Sequence, residues 1–224
     1  MKPKAVLFDM DGVIALTEYI KAEAHVETIQ QLGGKASANI YLEMIGQSHE
    51  KIRTAFIKAS GVNVDPTTYS KIFRKIYNKL ITEKLEIRPG ARNLVKELRK
   101  RGFLLGIVSS SSLSSIKQIL TTGKMLDDFT INISSEDVKE NKPSPEPYLL
   151  ALNQLGIEPD DALTFEDSST GIESARGAGI RAIAVRHDHN SNQNFDGTLA
   201  VLDSFLDTNT ILDMIDKVLH ISEE

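Results

Sequence analysis

Short apolar runs rich in β-branched residues recur along the chain at 5–8, 104–108, 130–133, 163–165 and 182–185. Each is long enough for a strand and too short for a globular helix. Segments with helical periodicity separate them, a pattern that predicts an α/β fold: a Rossmann-like parallel sheet covered on both faces. Ala91, Leu94, Val95 and Leu98 repeat at helical spacing between Pro89-Gly90 and Gly102, which predicts an amphipathic helix ending at a glycine C′ residue. Ser144-Pro145 predicts a second helix start, with serine as N-cap and proline at the first helical position, running through Tyr148, Leu149 and Leu152 to Gly156. A last helix is expected near 209–220.

The segment between the first strand and Ala91 is too long for an ordinary strand-to-helix connection, and it carries helical periodicity throughout. Helices are expected near 20–32, 40–45, 50–60 and 66–83, the last opened by Asp65-Pro66. The chain therefore divides into an α/β core, residues 1–16 with 89–224, and an inserted α-helical domain, residues 17–88.

Composition narrows the chemistry. With 41% hydrophobic and 25% charged residues over 224 positions, the chain has the balance of a globular protein able to bury its own core. No apolar run approaches the roughly 20 residues of a bilayer span, and the N-terminus shows no secretory signal pattern, so a cytoplasmic protein without a membrane partner is expected. The absence of cysteine removes disulfides, zinc-thiolate sites and thiol nucleophiles, leaving oxygen and nitrogen ligands. A net charge of −5 with dispersed cations gives no nucleic-acid footprint. A monomer is expected.

The reactive residue types cluster where the predicted strands end. Asp9-Met-Asp11-Gly12 follows the first strand, and in open α/β sheets ligands bind beyond the C-terminal strand ends. Two carboxylates embedded among apolar neighbours need a cation or a proton to relieve their repulsion. Ser109 to Ser112 follows the second strand and precedes a helix, which suits either a phosphate or an ordinary N-cap. Lys142 stands just before a helix, where a cation opposes the macrodipole; that placement hints at an anionic partner, a solvated loop lysine being the alternative. Glu166-Asp167-Ser168 ends a further strand and supplies oxygen ligands of the kind magnesium prefers, or simply a helix cap. His187 and His189 lie in a polar loop, and nothing adjacent completes a metal-ligand set for them.

The order Asp-x-Asp-Gly, strand ending in serine, Lys-Pro-x-Pro, and Glu-Asp-Ser-x-x-Gly resembles the four motifs of the haloacid dehalogenase superfamily. The helical insert after the first motif resembles the branch with a four-helix cap, which includes β-phosphoglucomutase and sugar-phosphate and phosphoglycolate phosphatases. The resemblance implies a Mg2+-dependent phosphatase acting on a small-molecule phosphate ester through an aspartyl-phosphate. It makes Asp9 the nucleophile and Asp11 the general acid/base. It assigns Mg2+ to Asp9, the Asp11 backbone carbonyl, Asp167 and Glu166, and the phosphoryl group to Ser109, the Ser110 amide and Lys142. It implies a cap that closes over the core and contacts substrate through Thr17, the loop Gly46-Gln47-Ser48-His49, and Lys75.

The chain departs from the mutase pattern in the cap. His49 stands where mutases carry an arginine for a distal phosphate, and Leu16 and Lys21 stand where relatives often have Asp and His. Lys21 and Lys75 are either cap-face substrate contacts or exposed helix lysines. A phosphosugar mutase is the alternative reading. A dehalogenase would not need Asp11 or Glu166-Asp167, and no motif marks the Schiff-base lysine of a phosphonate hydrolase. A non-catalytic binding module leaves the full set of motifs unexplained.

Overall fold

The computed structural model describes residues 4–45 and 47–220. It contains two compact units, one formed by the residues up to Ala15 together with those from Ile87 onward, the other spanning Leu16–Glu86.

In the first unit six parallel strands form one sheet in the order β3-β2-β1-β4-β5-β6. They are β1 (Ala5–Phe8), β2 (Leu104–Val108), β3 (Ile131–Ile133), β4 (Ala162–Glu166), β5 (Arg181–Val185) and β6 (Val201–Leu202). Every residue of β1 and β4 is buried, as expected of strands sandwiched between helical layers. The order of connection reverses between β1 and β4, so a crevice is expected beyond their C-terminal ends. The two-residue edge strand β6 was not anticipated: with Val201 exposed it carries no apolar periodicity to read.

The sheet's two faces bury different chemistry. One packs Leu7, Val108, Ile133 and Ala184 against Tyr148, Ala151 and Leu152 of α7 (Glu146–Leu155) and Ile172 and Ala175 of α8 (Ser169–Gly177). Because alternate strand residues point to opposite faces, Phe8 and Phe165 lie on the other. Their rings stack at 5.1 Å, with Phe205 edge-on to Phe165 at 5.3 Å. The remaining helices of this unit are α5 (Ala91–Lys100), α6 (Leu113–Thr122) and α9 (Thr208–Val218). Helix α7 begins one residue later than its sequence suggests. Pro145 occupies the N-cap position, its carbonyl accepting from Leu149, while Ser144 Oγ accepts from the Glu146 amide at 3.3 Å.

The second unit is helical: α1 (Glu18–Gln31), α2 (Asn39–Leu42), α3 (His49–Ser60) and α4 (Pro66–Lys84). Asp65 caps α4 by accepting from the amides of Thr67 and Thr68, with Pro66 at the first helical position. Helix α2 is a single turn, shorter than predicted. Ala22, Ile29, Tyr41, Ile52, Phe56 and Tyr69 form the core of this unit.

His25 sits within that core, stacked on Phe56 at 4.6 Å and Phe73 at 4.2 Å, with Nδ1 2.8 Å from the Tyr69 hydroxyl. Burial, helped by His49 and Lys21, pushes its pKa down to about 3. The folded unit keeps the ring neutral while the unfolded chain protonates near the ordinary value of 6.5. Stability from this site is therefore present above 6.5 and lost as pH falls towards 3. His25→Phe should gain on the wild type by on the order of 2 kcal/mol between pH 7 and pH 4, measured by urea unfolding followed by tyrosine fluorescence. A stability difference that does not change with pH would contradict this assignment.

Candidate active site

The backbone beyond β1 is held tightly before any side chain is considered. The Asp9 amide donates to the Phe165 carbonyl at 2.9 Å, extending the β1–β4 ladder, and the chain then turns back so that Gly12 N–H donates to the Ala15 carbonyl at 2.8 Å. Gly12 has φ of 79°, and a Cβ there would fall 2.2 Å from Asp167 Oδ2, so the turn needs glycine on both counts. The buried Arg88 closes it by donating to the Gly12 carbonyl from Nε at 3.0 Å and from Nη2 at 2.5 Å.

Lys142 lies at the centre of the reactive groups. Its ammonium donates to Asp9 Oδ1 at 2.7 Å, to Glu166 Oε1 at 2.5 Å and to the Val108 carbonyl at 2.7 Å, which uses all three of its protons. Burial opposes the charge on Lys142, but the carboxylates of Asp9 and Glu166 outweigh it and hold its pKa well above the lysine range. The Tyr148 hydroxyl also donates to Glu166 Oε1, at 2.7 Å. A Cβ on Gly171 would lie 2.0 Å from Glu166 Oε2, so the glycine of Glu-Asp-Ser-x-x-Gly is what lets α8 pass against the glutamate. On the other side of Asp9, Ser111 Oγ donates to Asp11 Oδ2 at 2.8 Å, and the Ser111 amide donates to Ser109 Oγ at 3.1 Å. The crevice thus brings together Asp9, Asp11, Ser109, Lys142, Glu166 and Asp167, while Ser110 is exposed beside it.

A family model described as haloacid dehalogenase-like hydrolase matches residues 6–185, which include every one of these groups. The chain belongs to that family. Protein CbbY of Cereibacter sphaeroides is 30% identical over 212 residues, covering 90% of this chain and 92% of that protein. A phosphorylated carbohydrates phosphatase of Thermotoga maritima is 27% identical, covering 85% of this chain and 88% of its own. The crystal structure of a CbbY variant from Rhodobacter sphaeroides in complex with xylulose-(1,5)bisphosphate superposes with a TM-score of 0.82 at 28% identity, covering 91% of this chain and 95% of that one. This haloacid dehalogenase-like hydrolase is accordingly an enzyme of the phosphoric monoester hydrolase class. No helix among its described residues is long and apolar enough to cross a membrane.

The remaining sequence-predicted residues belong to the helical unit. Thr17 is fully buried at the N-cap position of α1, its amide donating to Glu18 Oε2 at 3.1 Å. Lys21 is buried, so it is not the exposed helix lysine that was one of its two readings, whereas Lys75 is exposed on α4. His49 is the exposed first residue of α3, and Gln47 accepts from Lys51 Nζ at 3.1 Å. Gly46 lies outside the described residues.

Several supporting residues of this hydrolase have partners that no local signal in the sequence reveals. Ser111, Tyr148, Arg88, Asn190 and His187 reach their partners across distances in sequence that no short motif records. His187 is the clearest case, because its loop brings Nε2 to within 2.9 Å of Asp167 Oδ2. Burial, and then the nearby Arg88, push His187 down to about 4, so the imidazole is neutral at physiological pH.

Charge decides what else the crevice accepts. The Lys142 ammonium pairs with two carboxylates, Asp9 and Glu166, and Asp9 is pushed up to about 7 by burial, against the opposing pull of Lys142, with Glu166 and Asp11 adding to the rise. Among the described residues no three His, Asp or Glu side chains converge as a ligand cluster, and Asp9 and Glu166 both accept from Lys142. The all-oxygen donors nevertheless fit a hard divalent cation. In chelated protein Asp9 holds its proton more tightly folded than unfolded, so its contribution to stability is lost as pH rises from about 3.8 to about 7. Asp9→Asn should therefore exceed the wild type in thermal stability at pH 7.5 in the presence of chelator, with the advantage shrinking towards pH 5. An advantage that is constant or reversed across this range would contradict the raised pKa.

Proposed function

We propose that this chain is a magnesium-dependent phosphatase of small phosphorylated carbohydrates that works through a phosphoryl group carried on Asp9. The observation that carries the reading is the Lys142 ammonium shared between Asp9 and Glu166, with Asp11 held by Ser111 one turn of loop away. Phosphoryl transfer asks a protein mainly for positioning and charge neutralisation, and this arrangement offers both.

In the first step an Asp9 carboxylate oxygen attacks phosphorus in line. The bond from phosphorus to the leaving sugar oxygen breaks, and Asp11 delivers its proton to that oxygen. Asp11, now a carboxylate, then takes a proton from water as the water oxygen attacks the same phosphorus. The bond between Asp9 and phosphorus breaks, inorganic phosphate leaves, and both aspartates return to their starting states. Ser111 keeps Asp11 pointed at the reacting oxygens, while Ser109, the Ser110 amide and Lys142, which releases one of its three present acceptors to do so, hold the non-bridging oxygens. Lys142, 2.7 Å from Asp9, favours its ionised form against the burial that opposes it. Asp9, the Asp11 carbonyl and Asp167, with Glu166 direct or through water, would hold Mg2+, which would supply the charge that lets an anionic ester approach an anionic nucleophile.

The helical unit is read as the cap, residues 17–88, with Thr17, Lys21, Gln47, His49 and Lys75 as its substrate contacts. The phosphorylated carbohydrates of the relatives' names support a sugar phosphate. His49 in place of a bidentate arginine favours release of phosphate over its return to a sugar, because a mutase must grip both ends of a bisphosphate in turn.

The test supplies β-glucose 1-phosphate with catalytic β-glucose 1,6-bisphosphate, alongside a panel of sugar phosphates, and follows free phosphate and glucose 6-phosphate together. Phosphate release should dominate and stop in excess chelator, and it should fall at least about a thousandfold in Asp9→Asn. Rapid isomerisation with little free phosphate would replace the phosphatase with a mutase, and turnover in excess chelator would remove the metal.

A further inference from the structure

We propose that His187 is a positioning residue for Asp167, donating from Nε2 to one carboxylate oxygen and so setting the orientation in which this acid meets the metal. The inference rests on the assignment of Asp167 as a metal ligand.

The direction of the hydrogen bond follows from the other side of the ring. The His189 backbone N–H points at His187 Nδ1 at 3.2 Å, so Nδ1 presents its lone pair and the ring proton sits on Nε2. Nε2 in turn lies 2.9 Å from Asp167 Oδ2, and the two side chains are only 8% and 9% exposed. Both nitrogens thus have a defined partner, leaving one arrangement of the ring.

The loop is fixed as firmly as the ring. Asn190 is fully buried, and its amide donates to the carbonyls of Asp167 at 2.9 Å and Val185 at 2.8 Å while accepting from the His187 amide at 2.9 Å. Asp167 is therefore gripped at its carbonyl by Asn190 and at its carboxylate by His187. Gln193 extends the grip by accepting from the Ser169 amide and hydroxyl, both at 2.9 Å, at the start of α8. The contact also abuts the first motif: a Cβ on Gly12 would fall 2.9 Å from His187 Nε2. His187 thus fixes Asp167 against the turn that carries Asp11.

A neutral N–H donor suits this task. It orients a carboxylate without neutralising it, so the acid keeps its charge for a cation, whereas an ammonium at the same place would compete with that cation. Outer hydrogen bonds of this kind typically change metal affinity by about 10–100-fold.

Two substitutions separate this role from loop shape. His187→Gln keeps a nitrogen donor at the reach of Nε2. His187→Asn keeps an acceptor near the position of Nδ1 but falls short of Asp167. Mg2+ binding is read by calorimetry on the full-length protein, with thermal unfolding in chelator as the control for folding. His187→Asn should bind Mg2+ at least about tenfold more weakly than the wild type with little change in metal-free stability, and His187→Gln should stay within about threefold. Turnover by His187→Asn should recover as Mg2+ is raised, because the defect lies in occupancy of the site. Equal affinity in all three proteins, or equal loss in both variants, would overturn the proposal. So would a nitrogen coupling in pulsed EPR of the Mn2+-loaded wild type that vanishes in His187→Gln, since imidazole would then be a ligand. A wild type that binds no Mg2+ would remove the metal assignment along with it, and this is distinguishable from failure of His187 alone.

Discussion

One buried ammonium holds this molecule's chemistry together. Lys142 arrives from the loop before α7 and ends between Asp9 at the tip of β1 and Glu166 at the tip of β4, with the carbonyl of Val108 from β2 as its third acceptor. Three neighbouring strands are thus joined through a single nitrogen at the point where the connection order reverses. Without the ammonium, Asp9 and Glu166 would face one another as buried carboxylates, a repulsion that another cation or a proton would have to relieve. With it, the crevice still gathers oxygen donors of the kind a hard divalent cation prefers.

Much of the surrounding fold makes that close gathering possible. Gly12 and Gly171 stand where any side chain would collide with Asp167 or Glu166, so the motifs are glycine-marked because acids and backbone share the same space. Arg88 ties the first turn to the end of the sheet by donating to Gly12 and to the carbonyls of Arg186 and Asp203. Ser174 performs a similar service by donating to the Ser144 carbonyl at 2.5 Å, fastening the lysine-bearing loop to α8. These contacts turn loops into a rigid frame, which is what in-line attack on phosphorus requires.

The strands and the main acids were legible in the sequence because each declares itself locally. An apolar run followed at once by carboxylates marks a strand end where ligands bind in a parallel sheet, and Asp9, Asp11, Glu166 and Asp167 each follow such a run. Lys142 was legible as a cation waiting for an anion, yet its partners proved to be the protein's own carboxylates. Residues defined by their partners were not legible. Ser111 meets Asp11, Arg88 meets Gly12 and His187 meets Asp167 only after the sheet has assembled. His187 in particular sits in a polar loop whose neighbours complete nothing, and its partner lies on the preceding strand's loop. The edge strand β6 was missed because two residues, one of them exposed, leave no periodic trace.

The central claim is that Asp9 itself carries the phosphoryl group. It is tested most directly by mixing the Mg2+-loaded enzyme with a phosphate ester labelled in its phosphoryl group, quenching in acid within one turnover, and mapping the label by proteolysis and mass spectrometry. The label should appear as an acyl phosphate on the peptide containing Asp9, be discharged by hydroxylamine, and be absent in Asp9→Asn. Label on Ser109 or another residue, or turnover without any labelled protein, would contradict the account.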